Sequence, residues 1–234
     1  MESEGQARLR SVVSYVKRGG RMTVGQQRAW DTRWQELGRT VSELELGPID
    51  FDEWFGRSAP VVLEIGSGMG DATVQMARAD QQHNYLAIEV HPPGIANLMA
   101  LADEQEVTNL RIYNGDAVTF VGERIPADCL AAIHVFFPDP WPKAKHHKRR
   151  LIQSPHIPLL RSRLMPGGVL RCATDWREYA EAMLEDLTAD EQLVNCHDGF
   201  APRSSVRPIT KFEQRGIEAG RIISDLEFRR KSVT

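Results

Sequence analysis

The sequence of 234 residues has few cysteines, no long apolar run and no large excess of either charge. Its three cysteines are widely separated, which argues against a disulfide framework and against a cysteine zinc site. No apolar run approaches the roughly 18–20 residues of a membrane span. Charged residues interrupt the first twenty positions, unlike a secretory signal. We therefore expect a soluble, cytoplasmic protein with no membrane partner.

The net charge of −3 conceals a local excess of positive charge. Residues 1–34 carry seven arginines and lysines against three acids, and acids concentrate instead in segments such as residues 43–54. Local patches matter more than the total charge for binding to a phosphate backbone. The sequence predicts two parts, a basic and flexible N-terminal arm over residues 1–35 and a single domain over residues 36–234.

Short apolar runs alternate with helical segments from residue 61 onward. The runs are VVLEI, NYLAIEV, NLRIYNGD, CLAAIHVFFPDP and GVLRCATD. Fully apolar strands that alternate with helices are typical of an α/β fold, in which a parallel sheet is covered on both faces. Ligands of such sheets bind beyond the carboxyl ends of the strands. The last residues of each run are therefore the candidates for a site.

The first run leads into a glycine-rich turn, in which Glu64 is followed by Gly66, Gly68 and Gly70. Glycines allow a sharp turn and let a ligand approach more closely than a Cβ would permit. The spacing departs from the dinucleotide pattern G-x-G-x-x-G, because Asp71 occupies the sixth position. A purely structural tight turn is the alternative interpretation.

Acids also stand at the ends of the next runs, at Glu89, Asp116 and Asp139. An acid about 20 residues beyond such glycines can accept hydrogen bonds from ribose hydroxyls, and Asp116 is placed to accept from an adenine amino group. The glycine turn has no lysine. These features favour a cationic nucleoside without phosphate, S-adenosylmethionine, over a pyrophosphate ligand. The alternatives are a solvated Glu89 and an Asp139 that caps local amides between prolines.

The segment after Asp139 is strongly basic. Its cations are Lys143, Lys145, Lys148, Arg149 and Arg150. Beside a pocket acid, such a run favours contacts with RNA phosphates, although a solvated charged face is the alternative. Trp141 either stacks on a base or packs in the core. His146 and His147 join no recognisable ligand set, so no metal is assigned.

Several of these motifs together resemble one family. The motifs are LEIGSGMG, AIEVH, NGDA, FFPDPWPKAKHHKRR, CATDW and RPITKFEQRG. In this combination the sequence resembles the bacterial tRNA (guanine-N7-)-methyltransferases, which are class I methyltransferases, over most of the chain from about residue 20. The resemblance implies a Rossmann-like, doubly wound, mostly parallel sheet of seven strands with helices on both faces. It also implies methyl transfer from S-adenosylmethionine to N7 of a guanine in the variable loop of tRNA. Apart from the resemblance, the sequence gives no sign of a metal or of an obligate protein partner, and it leaves open whether the chain is a monomer or a homodimer.

The resemblance assigns roles to individual residues. The residues that it implies for S-adenosylmethionine are Glu64, Glu89, Asp116 and Asp139, and the glycine turn adds Gly66, Gly68 and Gly70 as predicted cofactor-binding residues. The RNA-binding residues it implies are Lys143, Asp175, Thr210, Lys211, Phe212 and Glu213. Asp139 is the first candidate for a catalytic carboxylate that offsets positive charge on guanine or orients the base, and Asp175 is the second. Thr210 and Glu213 also fit a helix capping box, which is the structural alternative.

Three rival functions remain on the sequence alone. The nearest is a methyltransferase that acts on another RNA or on a protein. The spacing of the glycines disfavours a nicotinamide-dependent reductase. A non-catalytic RNA-binding module would share the basic segments but would not transfer a methyl group.

Overall fold

The computed structural model describes residues 13–15, 19–44 and 47–232. Within these ranges, eight strands form one sheet. The strands are β1 (Gly38–Thr40), β2 (Val61–Ile65), β3 (Asn84–Glu89), β4 (Leu110–Asn114), β5 (Leu130–Phe136), β6 (Leu164–Thr174), β7 (Leu193–Asn195) and β8 (Ser224–Arg230). The helices are α1 (Val24–Leu37), α2 (Phe51–Phe55), α3 (Asp71–Ala79), α4 (Pro92–Glu104), α5 (Ala117–Glu123), α6 (Ile157–Arg163), α7 (Arg177–Thr188) and α8 (Lys211–Glu218). Two 3₁₀ helices cover Val41–Glu43 and Ala144–Arg149.

The strand order is β1-β4-β3-β2-β5-β6-β8-β7. Strands β1 to β6 pair in parallel, and β8 runs antiparallel to both of its neighbours, β6 and β7. The expected α/β, mostly parallel sheet is therefore confirmed. The expected number of seven strands was wrong by one, because the short strand β1 adds an edge by pairing Gly38 with Ile112 of β4.

Both faces of the sheet are buried. All five residues of β2 are buried, and its neighbouring side chains Val62 and Leu63 belong to two different hydrophobic clusters. Helices α1, α3 and α4 contribute to the cluster that contains Val62, whereas α5, α6 and α7 contribute to the other. Burial on both faces explains why the strands are continuous apolar runs rather than alternating ones.

Part of the predicted arm is an ordered helix on the core. Helix α1 starts with a capping box, in which Thr23 accepts from the backbone N–H of Gln26 and the Gln26 side chain accepts from Thr23. Trp30 and Trp34 stack at 4.4 Å and pack against the cluster around α4. Positions 24–35 of the predicted arm therefore belong to the packed domain. Residues 1–12 and 16–18 of that arm lie outside the described residues.

The reversed strand β8 determines what lies at the ligand edge of the sheet. Because Ser224 pairs with Thr174, the beginning of β8 lies at the edge where β6 ends. Helix α8, which directly precedes β8, is thereby brought to the carboxyl ends of the parallel strands. In the described ranges, every helix is too short or too polar to cross a membrane.

Candidate active site

A cavity of about 250 Å³ lies beyond the ends of β2, β3 and β5. Four predicted donor residues line it, namely Gly66, Gly68, Glu89 and Asp139. The remaining lining residues are Ser14, Tyr15, Ile65, Ile88, Val90, His91, Gly115, Ala117, Phe136, Phe137, Pro138 and Leu151. The contribution of Ser14 and Tyr15 was not anticipated, because no local motif marks them and only the fold brings the N-terminal segment to this edge.

The glycine turn forms one wall of the cavity. Gly66 and Gly68 have φ of +84° and +58°, and an added Cβ at either would meet no heavy atom within 4 Å. The wall is therefore free of side chains and adjoins open space. Gly70 differs, because its added Cβ would lie 2.4 Å from the Cδ1 atom and 2.8 Å from the Cα atom of Leu98. Gly70 allows α4 to pack closely against the glycine turn, and it does not line the cavity.

Glu89 is fixed by the backbone. One carboxylate oxygen accepts from the N–H of Gly68 at 2.7 Å, and the other accepts from the N–H groups of Val90 and His91 at 2.7 and 3.0 Å. A carboxylate offers about four lone-pair sites. The oxygen that binds Gly68 therefore keeps capacity for a further donor, such as a hydroxyl of a ligand.

Glu64 lies behind the turn rather than on the cavity wall. Its buried carboxylate accepts from the hydroxyl of Thr73 at 2.5 Å. Burial, the largest effect, and the charge of Glu89 raise the pKa of Glu64 to about 7, although the bond from Thr73 lowers it. The structure thus gives this predicted donor residue a position from which it shapes the turn.

Asp116 stands between two residues of the cavity wall, Gly115 and Ala117. Its side chain caps α5 by accepting from the N–H of Thr119 at 2.8 Å. Burial and the charge of Asp116 raise the pKa of the Tyr15 phenol above its usual value. Tyr15 is therefore close to Asp116, at the side of the cavity where an adenine ligand was expected.

The Asp139 loop leaves β5 in a constrained conformation. Phe137 and Trp141, which flank the loop, have φ of +52° and +47°, values that favour glycine. The N–H of Phe137 nevertheless donates to the carbonyl of Ala173 at 2.7 Å, which fixes the turn to β6. Such backbone outliers persist where surrounding contacts hold them, and they concentrate at functional sites. Asp139 lies between these two residues and lines the cavity.

Arg150 clamps this loop to α7. Its Nε donates to the carbonyl of Pro140 at 2.9 Å, and its two Nη atoms donate to the carboxylate of Glu178. The guanidinium also lies 4.6 Å from the ring centroid of Tyr179. The expectation that Arg150 contacts RNA phosphates was wrong for this residue, because its side chain is buried.

The other cations of the run remain on the surface. Lys143, Lys145 and Lys148 are exposed on and beside the 3₁₀ helix Ala144–Arg149. The guanidinium of Arg149 lies 4.8 Å above the ring of Trp141. One face of this half-buried indole is therefore already covered. The structure places the three lysines in one exposed patch beyond Asp139.

Glu213 is an internal ion-pair residue. Its side chain is fully buried and accepts from Arg207 and Arg203. Burial raises the pKa of Glu213, but the bonds from both arginines outweigh burial and hold it below the usual value. Thr210 caps α8 by accepting from the N–H of Glu213 at 3.2 Å. Only this half of the expected capping box forms, because the Glu213 carboxylate binds the arginines. For Lys211, only the backbone is described.

Arg207 connects three elements, a role that no local sequence pattern indicates. Its guanidinium binds both oxygens of Asp225 on β8, at 2.9 and 3.0 Å, and also Glu213 on α8. The same group lies 5.5 Å from the ring of Phe136 and 5.2 Å from that of Phe137. Helix α8 is thereby fastened to the residues that form the cavity wall.

Phe212 and Asp175 form a surface next to the cavity. The Phe212 ring is half exposed and meets the Phe137 ring edge-on at 5.3 Å. Asp175, at the end of β6, forms an ion pair with Arg221, whose guanidinium lies 5.7 Å from the Phe212 ring. Two of the predicted RNA-binding residues are thus joined through Arg221, which sequence reasoning missed.

The charged residues that line the cavity suit a positively charged ligand without phosphate groups. None of the described residues that line it is a lysine or an arginine, whereas Glu89 and Asp139 both do line it. Across the described ranges, no three His, Cys, Asp or Glu side chains are grouped to hold a metal ion. The bare glycine wall and the accepting capacity of Glu89 suit a ribose, so the residues present fit S-adenosylmethionine.

Two solved structures that share this fold are rRNA methyltransferases. The 16S rRNA methyltransferase KamB aligns with a TM-score of 0.60 at 15% identity, over 80% of this chain and 95% of KamB. A 16S rRNA (adenine(1408)-N(1))-methyltransferase from Catenulisporales acidiphilia aligns with a TM-score of 0.55 at 16% identity, over 81% of this chain and 94% of that one. Residues 58–226 match the model of a family described as putative methyltransferase. The protein is thus a class I methyltransferase.

Sequence comparison identifies the family more closely. The tRNA (guanine-N(7)-)-methyltransferase of Dechloromonas aromatica (strain RCB) is 48% identical over 98% of this chain and 92% of its own length. The enzyme of the same name from Nitrosospira multiformis is 48% identical over 95% of this chain and 96% of its own. The chain belongs to the tRNA (guanine-N(7)-)-methyltransferase family, which confirms the resemblance of its motifs.

Proposed function

We propose that this protein transfers the methyl group of S-adenosylmethionine to N7 of a guanine in the variable loop of tRNA, yielding 7-methylguanosine and S-adenosylhomocysteine. Near full-length similarity to enzymes of that name supports the substrate class. One structural observation carries the proposal. Phe137 lines the acid-lined cavity and also contacts Phe212, so a base that binds at Phe212 and Asp175 lies next to the methyl donor.

The cavity residues take distinct roles toward the donor. S-adenosylmethionine, when bound, supplies a methyl group on a positively charged sulfur. The carboxylate oxygen of Glu89 that binds Gly68 accepts a further hydrogen bond from a ribose hydroxyl. Tyr15 and Asp116 lie at the part of the cavity that receives the adenine. Asp139 offers a negative charge to the cationic end of the donor. Glu64 contributes indirectly, by holding Thr73 behind the glycine turn.

The acceptor atom requires no catalytic base. Guanine N7 carries a lone pair and no proton, so no proton has to be removed before attack. The chain must align N7 with the methyl group, and such positioning supplies roughly 7–11 kcal/mol in well-oriented reactions. The product base is cationic, and a nearby carboxylate stabilises that charge as it develops. We assign this role to Asp139, one of the two carboxylates that line the cavity.

The three exposed lysines extend the site toward RNA. Lys143, Lys145 and Lys148 lie beyond Asp139, on the chain that follows the cavity wall. Ammonium groups on an exposed patch neutralise backbone phosphates without reading sequence. They position the variable loop, whereas Phe212 and Asp175 contact the base itself.

Nucleoside analysis tests the proposal. An unmodified tRNA transcript is incubated with methyl-labelled S-adenosylmethionine and digested, and we expect the label in 7-methylguanosine. Label in another nucleoside would retain the methyltransferase and reject the acceptor atom. If the protein binds S-adenosylhomocysteine but no label enters the tRNA, the methyl acceptor is another molecule, such as a protein.

A pair of variants tests the role of Asp139. Asp139→Asn should lower kcat about 100-fold while the melting temperature stays unchanged, since it removes one preorganised charge. Asp128→Asn is the matched control, because Asp128 pairs with Arg230 at the opposite edge of the sheet. Equal activity of the two variants would remove Asp139 from the mechanism.

A further inference from the structure

Arg221 occupies an unusual position beside the cavity. Its guanidinium pairs with Asp175, faces the ring of Phe212 at 5.7 Å, and passes over Gly216, where an added Cβ would lie 3.5 Å from two of its nitrogens. Its backbone N–H also donates to the carbonyl of Gly216 at 2.9 Å. A planar, donor-rich group is therefore held between an exposed aromatic ring and a carboxylate.

The arginine head and the guanine base share one chemical unit. Guanine carries two adjacent N–H donors, on N1 and on the exocyclic N2, in a planar N–C–N unit. The arginine fork presents the same pair of donors to a carboxylate. Adenine lacks this pair on its corresponding edge. A carboxylate next to an aromatic ring that accepts an arginine head can therefore accept a guanine edge in its place.

We propose that Arg221 is a placeholder for the target guanine, and that Asp175 and Phe212 form the pocket that selects this base. This proposal rests on the proposed function and refines it. When the base enters, its N1–H and N2–H donors replace the Nη1 donor of Arg221 on Asp175, and its ring takes the place of the guanidinium beside Phe212. Arg221 then turns outward, which its half-exposed side chain permits.

The position of the pocket agrees with the reacting atom. N7 lies on the opposite side of the purine from the N1–N2 edge. A base whose N1–N2 edge binds Asp175 therefore presents N7 away from Asp175. Phe212 contacts Phe137, which lines the donor cavity beside Asp139. The pocket and the cavity are thus adjacent, as methyl transfer to N7 requires.

The placeholder also explains selectivity. A base with fewer donors than guanine would regain less when it breaks the Arg221–Asp175 pair, and the carboxylate, only 15% exposed, would keep fewer partners. Guanine offers two donors in place of the one bond that Arg221 makes to Asp175. Bases other than guanine therefore bear most of the energetic cost, because they leave hydrogen-bonding groups of the site unpaired.

If Arg221 is a placeholder, its removal should raise the activity toward tRNA rather than lower it. Arg221→Met keeps an unbranched side chain but cannot compete for Asp175, so kcat/KM for tRNA should rise about two- to fivefold, which corresponds to the free energy of one surface ion pair. The KM for S-adenosylmethionine should not change. Arg221→Lys keeps the charge without the fork and should fall between the wild type and Arg221→Met. Arg230→Met is the matched control, since it removes an arginine–aspartate pair at the far edge of the sheet.

A second measurement tests the recognition of the base. A transcript with inosine at the target position keeps N7 and N1–H but lacks the 2-amino group. In the wild type, kcat/KM should fall about 10- to 100-fold for inosine, because a hydrogen bond to a charged group is removed. In Asp175→Asn, the ratio of guanosine to inosine should approach unity.

The outcomes separate the two proposals. Methylation of guanosine N7 by the wild type, with a lower or unchanged kcat/KM for Arg221→Met, would overturn the placeholder and leave the function standing. Retention of the full guanosine preference by Asp175→Asn would also overturn it. An absence of N7 methylation by the wild type would refute the proposed function itself.

Discussion

Replacing Glu64 by glutamine should stabilise the protein strongly at pH 8 and weakly at pH 5. The carboxyl group of Glu64 is buried behind the glycine turn, and its pKa is raised from 4.5 to about 7. An unfolded chain releases this proton at lower pH than the folded chain does. As the pH rises from 4.5 to 7, Glu64 therefore costs the folded state an increasing amount of free energy, and above pH 7 the cost is constant.

The difference between these pKa values sets the size of the effect. Each unit of pKa is worth 1.36 kcal/mol, so the full cost is about 3 kcal/mol, and about 1 kcal/mol of it is already present at pH 5. Glutamine has no charge to bury, and its amide oxygen can still accept from Thr73. For a protein of this size, about 3 kcal/mol corresponds to roughly 6–12 °C in the melting temperature.

Calorimetric melting at a series of pH values measures the effect. The gain in melting temperature of Glu64→Gln over the wild type should grow between pH 5 and pH 7 and level off above it. The Thr73→Val variant provides a comparison, because it removes the hydrogen bond that lowers this pKa. In an otherwise wild-type chain, this substitution should raise the pKa of Glu64 and so shift the loss of stability to higher pH. An equal gain at pH 5 and pH 8 would refute the raised pKa of the buried Glu64 carboxyl group.

Two further predictions concern positively charged side chains, the exposed lysines of the patch and the buried Arg207. Lys145→Gln with Lys148→Gln should weaken tRNA binding and reduce the slope of log K against log salt by about 0.7–0.9 for each phosphate that the patch no longer neutralises, measured by filter binding; an unchanged slope would mean that the patch does not touch RNA. Arg207→Met should lower the melting temperature by roughly 6–20 °C, because breaking a buried ion pair costs about 3–5 kcal/mol. A shift of less than about 2 °C would contradict the fastening role of Arg207.

Features encoded by neighbouring residues were predictable from the sequence. The apolar runs predicted the parallel strands, because a strand buried on both faces must be apolar throughout. The acids at the strand ends predicted the cavity, since the ends of parallel strands meet at one edge. Glu89 and Asp139 do line it, together with Gly66 and Gly68.

Features that depend on distant partners were not predictable in this way. Arg150 resembles its neighbours in the basic run, but Glu178 and Tyr179, which hold it, are more than 25 residues away. Arg207 stands in a polar segment, and only the pairing of β8 brings Asp225 to it. The extra strand β1 has three residues and no apolar run to mark it. In each case, the information lies in tertiary pairing rather than in local pattern.

The position of β8 has a consequence for synthesis of the protein. Among the described strands it comes last in the chain, yet it lies between β6 and β7 in the sheet. A nascent chain that ends before Ser224 cannot close this part of the sheet, and it also lacks Asp225, the β8 anchor of Arg207. Helix α8, which carries Phe212, the residue that we propose contacts the base, then has no fixed place beside the cavity. A ribosome-bound fragment could form the donor cavity early, but it would become competent toward tRNA only after this last strand had emerged and paired.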